Sequence, residues 1–391
     1  VITLAEAQAR LFALRGPVEP EEVPLIDALG RWAMADVVAR RTQPARDLSA
    51  MDGYAIRAAD APGPWRVIGE SAAGRLFKGS VGAGEAVRIF TGAVLPEGAD
   101  CILIQENAAR DGDVLKLTGD APTAGRHVRL AAGDFGEGAL LIASGEAITP
   151  ARIALAAMGG HAALPVRRRL RVAIVSTGDE LVSPGQPTAD DRIPSSNAPM
   201  LQAMLAGLPV TIDDRGVVPD DLDMLTAEFS ACADADIIVS MGGASVGDHD
   251  LVHPALEAAG ARLDFWKVAM KPGKPVLAGR LGNALVLGLP GNPVSAFVTA
   301  FIFLKPLIAH LGGAIDPLPR RIEARLGAPL SANGDRIDFV RGTLDGSVAM
   351  PTGINDSSML AALSRSNLLI IRDINAPLAK VGDPVICHLL G

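Results

Sequence analysis

The chain has 391 residues, 49% hydrophobic and 20% charged, and a net charge of −8 at pH 7. Such a length exceeds one ordinary core, so roughly two to four domains are expected. One Tyr, three Trp and no basic block beyond Arg167–Arg169 disfavour a nucleic-acid platform and an acidic-membrane binder.

In chain order, VITLAEAQARLFAL places Leu4, Ala7, Leu11 and Leu14 at helical spacing, with no signal-peptide core. Residues 1–40, including the apolar stretch IDALGRWAMADVV, read as helical, and RTQPARDLSA as a linker. From 51 to about 126 the pattern changes to short β-type runs (YAIR, WRVIGE, AVRIF, CILIQE, VLKL) separated by Gly, Asp and Pro turns, as expected of a small all-β domain. A helix is predicted after Thr149 as N-cap and Pro150 at its first position.

At 170 the register changes again. LRVAIVSTGDEL, PVTIDDRGVV and DIIVSMGG read as strands between the helical stretches SSNAPMLQAMLAGL and DDLDMLTAEFSACADA. Continuously apolar strands alternating with helices predict a parallel sheet covered on both faces. The apolar run VSAFVTAFIFL at 294–304 is too short to span a bilayer and is expected to be a core helix. After Asp316 the runs RIEARL, RIDFVRGTL, SVAMP, NLLIIRD and PVICHLL read as a small β-barrel or sandwich. Cys101, Cys232 and Cys387 lie far apart, which predicts reduced, buried thiols of a cytoplasmic protein and no disulfide framework or zinc site.

Two glycine-proline loops stand out, ADIIVSMGGASVGD at 235–248 and ALVLGLPGNPVSAF at 284–297, with Lys267, Lys271 and Lys274 between them. A strand that ends in glycines and opens a helix points unpaired N–H groups at one spot, so two such loops with three lysines predict a polyanion site. Its backbone would come from Gly242, Gly243, Ser245, Gly247, Pro290, Gly291, Asn292 and Pro293. Neither loop is a Walker A, and no GxGxxG opens the sheet. Glu180, Asp220, Asp221, Asp248 and Asp250 fall near strand ends, where one or two carboxylates could hold Mg²⁺. Asp220 and Asp221 read equally well as N-caps of the next helix. His249 and His253 lack the metalloprotease glutamate between them and read as structural.

Taken together, SAMDGYA, RIFTGAVLPEGAD, STGDEL, SMGGASVGD, KPGKPV and GLPGNPVSAF resemble, in order and spacing, the MoeA family of molybdopterin molybdenumtransferases, similar also to the E domain of gephyrin. The resemblance covers nearly the whole chain. It implies insertion of molybdenum from molybdate into adenylylated molybdopterin, with release of AMP and dependence on Mg²⁺. It also implies a multi-domain α/β plus β fold. A discontinuous helical/extended dimerisation domain (1–45 and 127–168) would carry an inserted β domain (46–126), followed by an α/β domain similar to the molybdopterin adenylyltransferases (169–316) and a C-terminal β-barrel (317–391).

The implied enzyme is a cytoplasmic homodimer whose cleft combines the α/β domain of one subunit with the inserted domain of the other; docking to a separate adenylyltransferase is a further implied partnership. Position by position, the resemblance implies roles for Asp52, Thr91, Glu180, Lys267 and Lys271 as catalytic residues, and for Asp134, Glu180, Asp221 and Asp250 around the metal. It assigns Pro290, Pro293, Arg341 and Ser357 to the substrate anions, which Lys274 of the lysine run is expected to join. The alternatives are an adenylyltransferase, which needs only the α/β domain, and a non-catalytic gephyrin-like scaffold.

Overall fold

The computed structural model describes residues 1–242, 251–354 and 356–390. Its centre is a six-stranded sheet in the order Val210–Val218, Leu170–Thr177, Ile237–Met241, Ala284–Leu289, Pro275–Leu281, Arg262–Lys267. Side chains alternate across a strand, and here both faces are buried. Val172, Ile174, Val239 and Leu287 pack on one side, Ala173, Val175, Ile238 and Val286 on the other. Two helical layers therefore cover the sheet, and the strands are apolar without interruption. Only the first four strands are parallel; Pro275–Leu281 and Arg262–Lys267 form antiparallel pairs at one edge. The sheet is mixed, a departure from the expected all-parallel arrangement, because an apolar run carries no mark of its direction.

The apolar run after Asn292 extends into one helix, Pro293–Leu311, long and apolar enough to cross a membrane yet 78% buried inside the protein. Pro306 lies within it, and proline lacks an N–H and crowds the carbonyl four residues earlier. The helix widens to a π-turn over Ala300–Leu304 just before the proline, and the Ile302 carbonyl accepts a hydrogen bond from Gln8 Nε2 at 2.9 Å. Gln8 sits on the N-terminal helix Leu4–Ala13, capped by Thr3, whose Oγ1 accepts from the Glu6 N–H. Ala7 and Leu11 of that helix are fully buried in the same core.

Downstream of this helix the chain is extended, not helical as its composition predicts. Pro20–Pro24 pairs with Ala163–Arg167, Val37–Val38 with Leu140–Ile142, and Leu48–Ser49 with Val128–Arg129. The IDALGRWAMADVV stretch forms a single 3₁₀ turn, Leu25–Ala28. Gly30 then takes a left-handed φ of 75°, and the backbone N–H groups of Gly30 and Ala33 bond to Ile148 and Glu146 across the ladder. Long-range pairing here overrides local helical propensity. Between the outgoing and returning strands sits a six-stranded sheet ordered Cys101–Ile104, Gly53–Ile56, Glu85–Ile89, Trp65–Ser71, Val114–Leu117, Ala108–Asp111. The C-terminal strands Arg321–Leu326, Ile337–Asp345, Val348–Pro351, Leu368–Arg372 and Pro384–Leu389 close into a barrel through the pairing of Ile337–Asp345 with both Val348–Pro351 and Leu368–Arg372. The short strand Met270–Lys271 joins its rim.

One buried carboxylate ties the N-terminal segment to the sheet. Asp236, 2% exposed, precedes the central strand and accepts two hydrogen bonds from Arg168 (2.7 and 2.8 Å) and one from the Arg171 N–H (2.8 Å), with Arg15 at 3.1 Å. Burial opposes ionisation, but the Arg168 fork and the Arg171 N–H outweigh it and hold the carboxyl below its usual range. Asp236→Asn would leave Arg15 without its carboxylate and Arg168 with Glu19 alone, and is expected to cost about 1–3 kcal/mol in urea unfolding at neutral pH. Because the folded-state pKa is depressed, that contribution is present above the unfolded carboxylate range. The gap between wild type and variant should narrow as pH falls through and below it.

Candidate active site

The strands Leu170–Thr177, Ile237–Met241 and Ala284–Leu289 run parallel and end at the same edge of the sheet, which is where ligands bind in open α/β sheets. At that edge lies a cavity of about 560 Å³, lined by Thr177, Gly178, Glu180, Asn197, Asp220, Gly242 and the 290–293 loop, with Ser358 from the C-terminal region. The volume is that of a cofactor-sized ligand. Its floor exists because two positions carry no side chain. Gly242 has a φ of 93°, and a Cβ there would stand 2.6 Å from the Thr177 carbonyl; Gly178 has a φ of 145°, and its Cβ would stand 2.7 Å from Glu180 Oε2. Gly291 approaches from the third strand, where a Cβ would meet the Gly242 Cα at 3.6 Å.

The polar groups of the cavity are held by their neighbours. Thr177 Oγ1 donates a short hydrogen bond to Asp220 Oδ1, while the Asp179 N–H bonds to Asp220 Oδ2 and the Asp220 N–H to Asp179 Oδ1. Asp221 does not line the cavity: it is the N-cap of Leu222–Ala231 and accepts the Met224 N–H at 2.9 Å. Of the two readings left open for this pair, the cap belongs to Asp221 and the cavity to Asp220. Asn197 Nδ2 donates to the Gly291 carbonyl at 2.7 Å, and its buried Oδ1 has no partner among the described residues. Asn292 precedes the helix as expected, but its side chain bonds to Ser357 Oγ at 3.1 Å instead of capping it. The Ser357 carbonyl accepts the Val294 N–H. Among the described residues no group of three or more His, Cys, Asp or Glu side chains could hold a metal. Gly243, Ser245, Gly247 and Asp250 lie outside the described residues.

The cations sit around the cavity without lining it. Lys267 Nζ lies 5.5 Å over the Trp266 ring, and Lys271 Nζ pairs with Asp338 at 3.3 Å. Lys274 is next to Pro275, which does line the cavity. Arg341, expected to face an anion, is 4% exposed and spends its donors on the carbonyls of Ile354 (2.6 Å), Asp356 (2.9 Å) and Met359 (3.2 Å). It shapes the segment that carries Ser357 and Ser358, and burial pushes its pKa down.

Asp52 and Thr91 meet on the β module. Asp52 Oδ1 accepts from the Thr91 N–H at 2.7 Å and from Thr91 Oγ1 at 2.8 Å. Those two bonds, the backbone one first, hold the Asp52 carboxyl below its usual range. Beside them Arg88 donates to Gly53 O and Gln105 Oε1 and stacks against Tyr54 and Phe90. Asp134 sits in the returning segment, its N–H bonded to Gln43 O. None of these four residues lines the strand-end cavity. Arg88, Asn197 and Ser358 went unremarked in the sequence reading; an Asn at a helix start two residues before a proline, as in SSNAPM, was the one local signal available.

Residues 173–310 match the family model described as a probable molybdopterin binding domain, so the sheet and its strand-end cavity belong to that class of α/β domain. Residues 2–160 match the MoeA N-terminal region, domains I and II, and residues 323–390 the MoeA C-terminal region, domain IV; the chain belongs to the MoeA family. It is 34% identical to the molybdopterin molybdenumtransferase of Haemophilus influenzae over 405 residues, with both chains fully covered. With molybdopterin molybdenumtransferase 2 of Mycobacterium tuberculosis it shares 37% identity over 357 residues, 88% of each chain. The crystal structure of the molybdopterin biosynthesis MoeA protein from Pyrococcus horikoshii OT3 superimposes with a TM-score of 0.85 at 26% identity, covering 100% of both chains.

Two measurements check the local geometry. Gly242→Ala forces a side chain into a left-handed backbone against the Thr177 carbonyl and is expected to destabilise the protein by about 1–3 kcal/mol in chemical unfolding, with loss of ligand binding at this edge. Thr91→Val removes the hydroxyl bond to Asp52 and keeps the backbone bond. Carbon-detected NMR should then show Asp52 titrating at higher pH than in wild type.

Proposed function

We propose that this chain is a molybdopterin molybdenumtransferase that inserts molybdenum from molybdate into adenylylated molybdopterin, releasing AMP and giving the molybdenum cofactor. The observation that carries this reading is the cavity floored by Gly178, Gly242 and Gly291 in a domain of the molybdopterin-binding class. End-to-end similarity to proteins named molybdenumtransferases supports it, where an adenylyltransferase would need the α/β domain alone. The pterin and its phosphate would lie along the glycine floor, where the bare backbone allows close approach. Asn197, oriented by the Gly291 carbonyl, would offer its unpartnered Oδ1 to a donor of the ligand.

The donor set fits Mg²⁺. Glu180 and Asp220 both line the cavity, two hard carboxylates with no third among the described residues, as suits a cation that completes its shell with phosphate and water. Bound there, it would neutralise the phosphoanhydride and make AMP a better leaving group. Thr177, donating to Asp220, fixes the direction of that carboxylate. Lys267, Lys271 and Lys274 on the neighbouring edge would steer the anions and hold them for reaction, so that positioning and charge stabilisation supply most of the rate gain. Asp52, Thr91 and Asp134 would complete the cleft from a second copy of the chain in a two-fold homodimer.

The test is an assay with purified protein, adenylylated molybdopterin, Mg²⁺ and molybdate. Molybdate-dependent AMP release with cofactor formation is expected. Pyrophosphate release from ATP would instead mark an adenylyltransferase, and neither reaction would leave a non-catalytic scaffold. Chelation of Mg²⁺ should abolish turnover and its re-addition restore it, and Glu180→Gln should lose most of the activity. Inactive Glu180→Gln and Asp52→Asn chains, mixed in equal amounts and reassembled, should regain about one quarter of wild-type activity, since half the dimers then hold one intact site. No regain would place both residues in the same subunit's site.

A further inference from the structure

A second cavity, of about 540 Å³, lies where the long core helix meets the 317–320 segment that leads into the C-terminal barrel. It shares no lining residue with the strand-end cavity. Leu208, Phe301, Pro306 and Ala309 form apolar walls, and among the described residues the charged ones at its surface are Lys305 and Arg320. Lys305 is half-buried, with its ammonium 5.3 Å from the Phe301 ring centroid. Among the described residues no carboxylate pairs with it. Partial burial with no carboxylate partner disfavours the charged form and pulls the Lys305 pKa down. Elsewhere the core helix answers its awkward group, the Ile302 carbonyl being met by Gln8; Lys305 is met by the Phe301 ring but by no carboxylate among the described residues.

We infer that this cavity is a binding site for a small apolar monoanion, an aromatic or short-chain aliphatic carboxylate, whose charged end pairs with Lys305 and Arg320 and whose body fills the space between Leu208, Phe301 and Ala309. The volume falls in the range of small-molecule pockets, and a few placed charges in apolar walls fix orientation and selectivity. Two positive groups with no acidic residue among the described lining residues select an anion, and a bound carboxylate would offset the partial desolvation of the Lys305 ammonium. A hydrophobic body recovers the transfer energy of the apolar lining. The site is separate from the molybdenum-inserting chemistry and does not depend on that assignment.

The experiment is isothermal titration of the intact protein with 2-naphthoate and with its neutral isostere 2-naphthamide. Saturable binding of one naphthoate per chain is expected, with the amide weaker by about tenfold or more, the scale of a lost charge-assisted hydrogen bond in an apolar site. Lys305→Met or Arg320→Gln should bring naphthoate toward the amide's affinity, and Ala309→Trp should remove both. Melting temperatures of the variants at or above wild type would exclude unfolding as the cause, since Lys305→Met relieves a desolvated charge. The inference is overturned by the absence of saturable naphthoate binding, by equal affinity for the two probes, or by both charge substitutions leaving naphthoate binding unchanged.

Discussion

The absence of a side chain at Gly242, where a Cβ would stand 2.6 Å from the Thr177 carbonyl, is the constraint from which the site follows. Three parallel strands deliver their ends to one edge, and the middle one can turn away there only without a Cβ. A side chain at 242 would push the flanking loops apart and fill the floor of the cavity. Everything placed around that floor is second to it. The Thr177–Asp220 bond, the Asn197–Gly291 bond and the Asn292–Ser357 bond hold loops that the bare glycine allows to come together.

Charge arrangement decides what the cavity can take. The chain is net negative, and Glu180 and Asp220 put two more carboxylates in the place where a phosphate-bearing ligand would lie. A polyanion entering alone would be repelled, so cation and substrate are expected to bind as a set. The lysines are nearby but partly committed. Lys271 is drawn to Asp338 across the junction with the barrel, and Arg341 is consumed by three carbonyls. The C-terminal region therefore reaches the cavity through Ser358, next to Ser357 on a segment that Arg341 holds.

Much of the architecture was legible because it rests on periodicity. Leu170–Thr177, Ile237–Met241 and Ala284–Leu289 announce themselves as buried strands, and the Thr149-Pro150 start of the helix Pro150–Met158 is a local capping signal. The failures share one cause, long-range pairing that no local pattern records. The 25–38 region has helical composition but bonds to residues more than a hundred positions away. The Arg262–Lys267 and Pro275–Leu281 strands look like any apolar run and turn out antiparallel. At the site, sequence could place Asp220 and Asp221 side by side but not say which faces inward. A one-residue shift at the helix cap decides that, and only the backbone trajectory reveals it. The carbonyl partners of Arg341 were illegible for a related reason, since main-chain acceptors have no side-chain signature.

The most direct measurement is a crystal structure of the protein soaked with molybdopterin in the presence of Mg²⁺. The account predicts the pterin phosphate over the backbone of Gly178 and Gly242, with Asn197 and Asp220 within reach and Asp52 of a second copy facing it. Ligand bound away from that strand edge, in the Lys305 cavity or on the barrel, would contradict it.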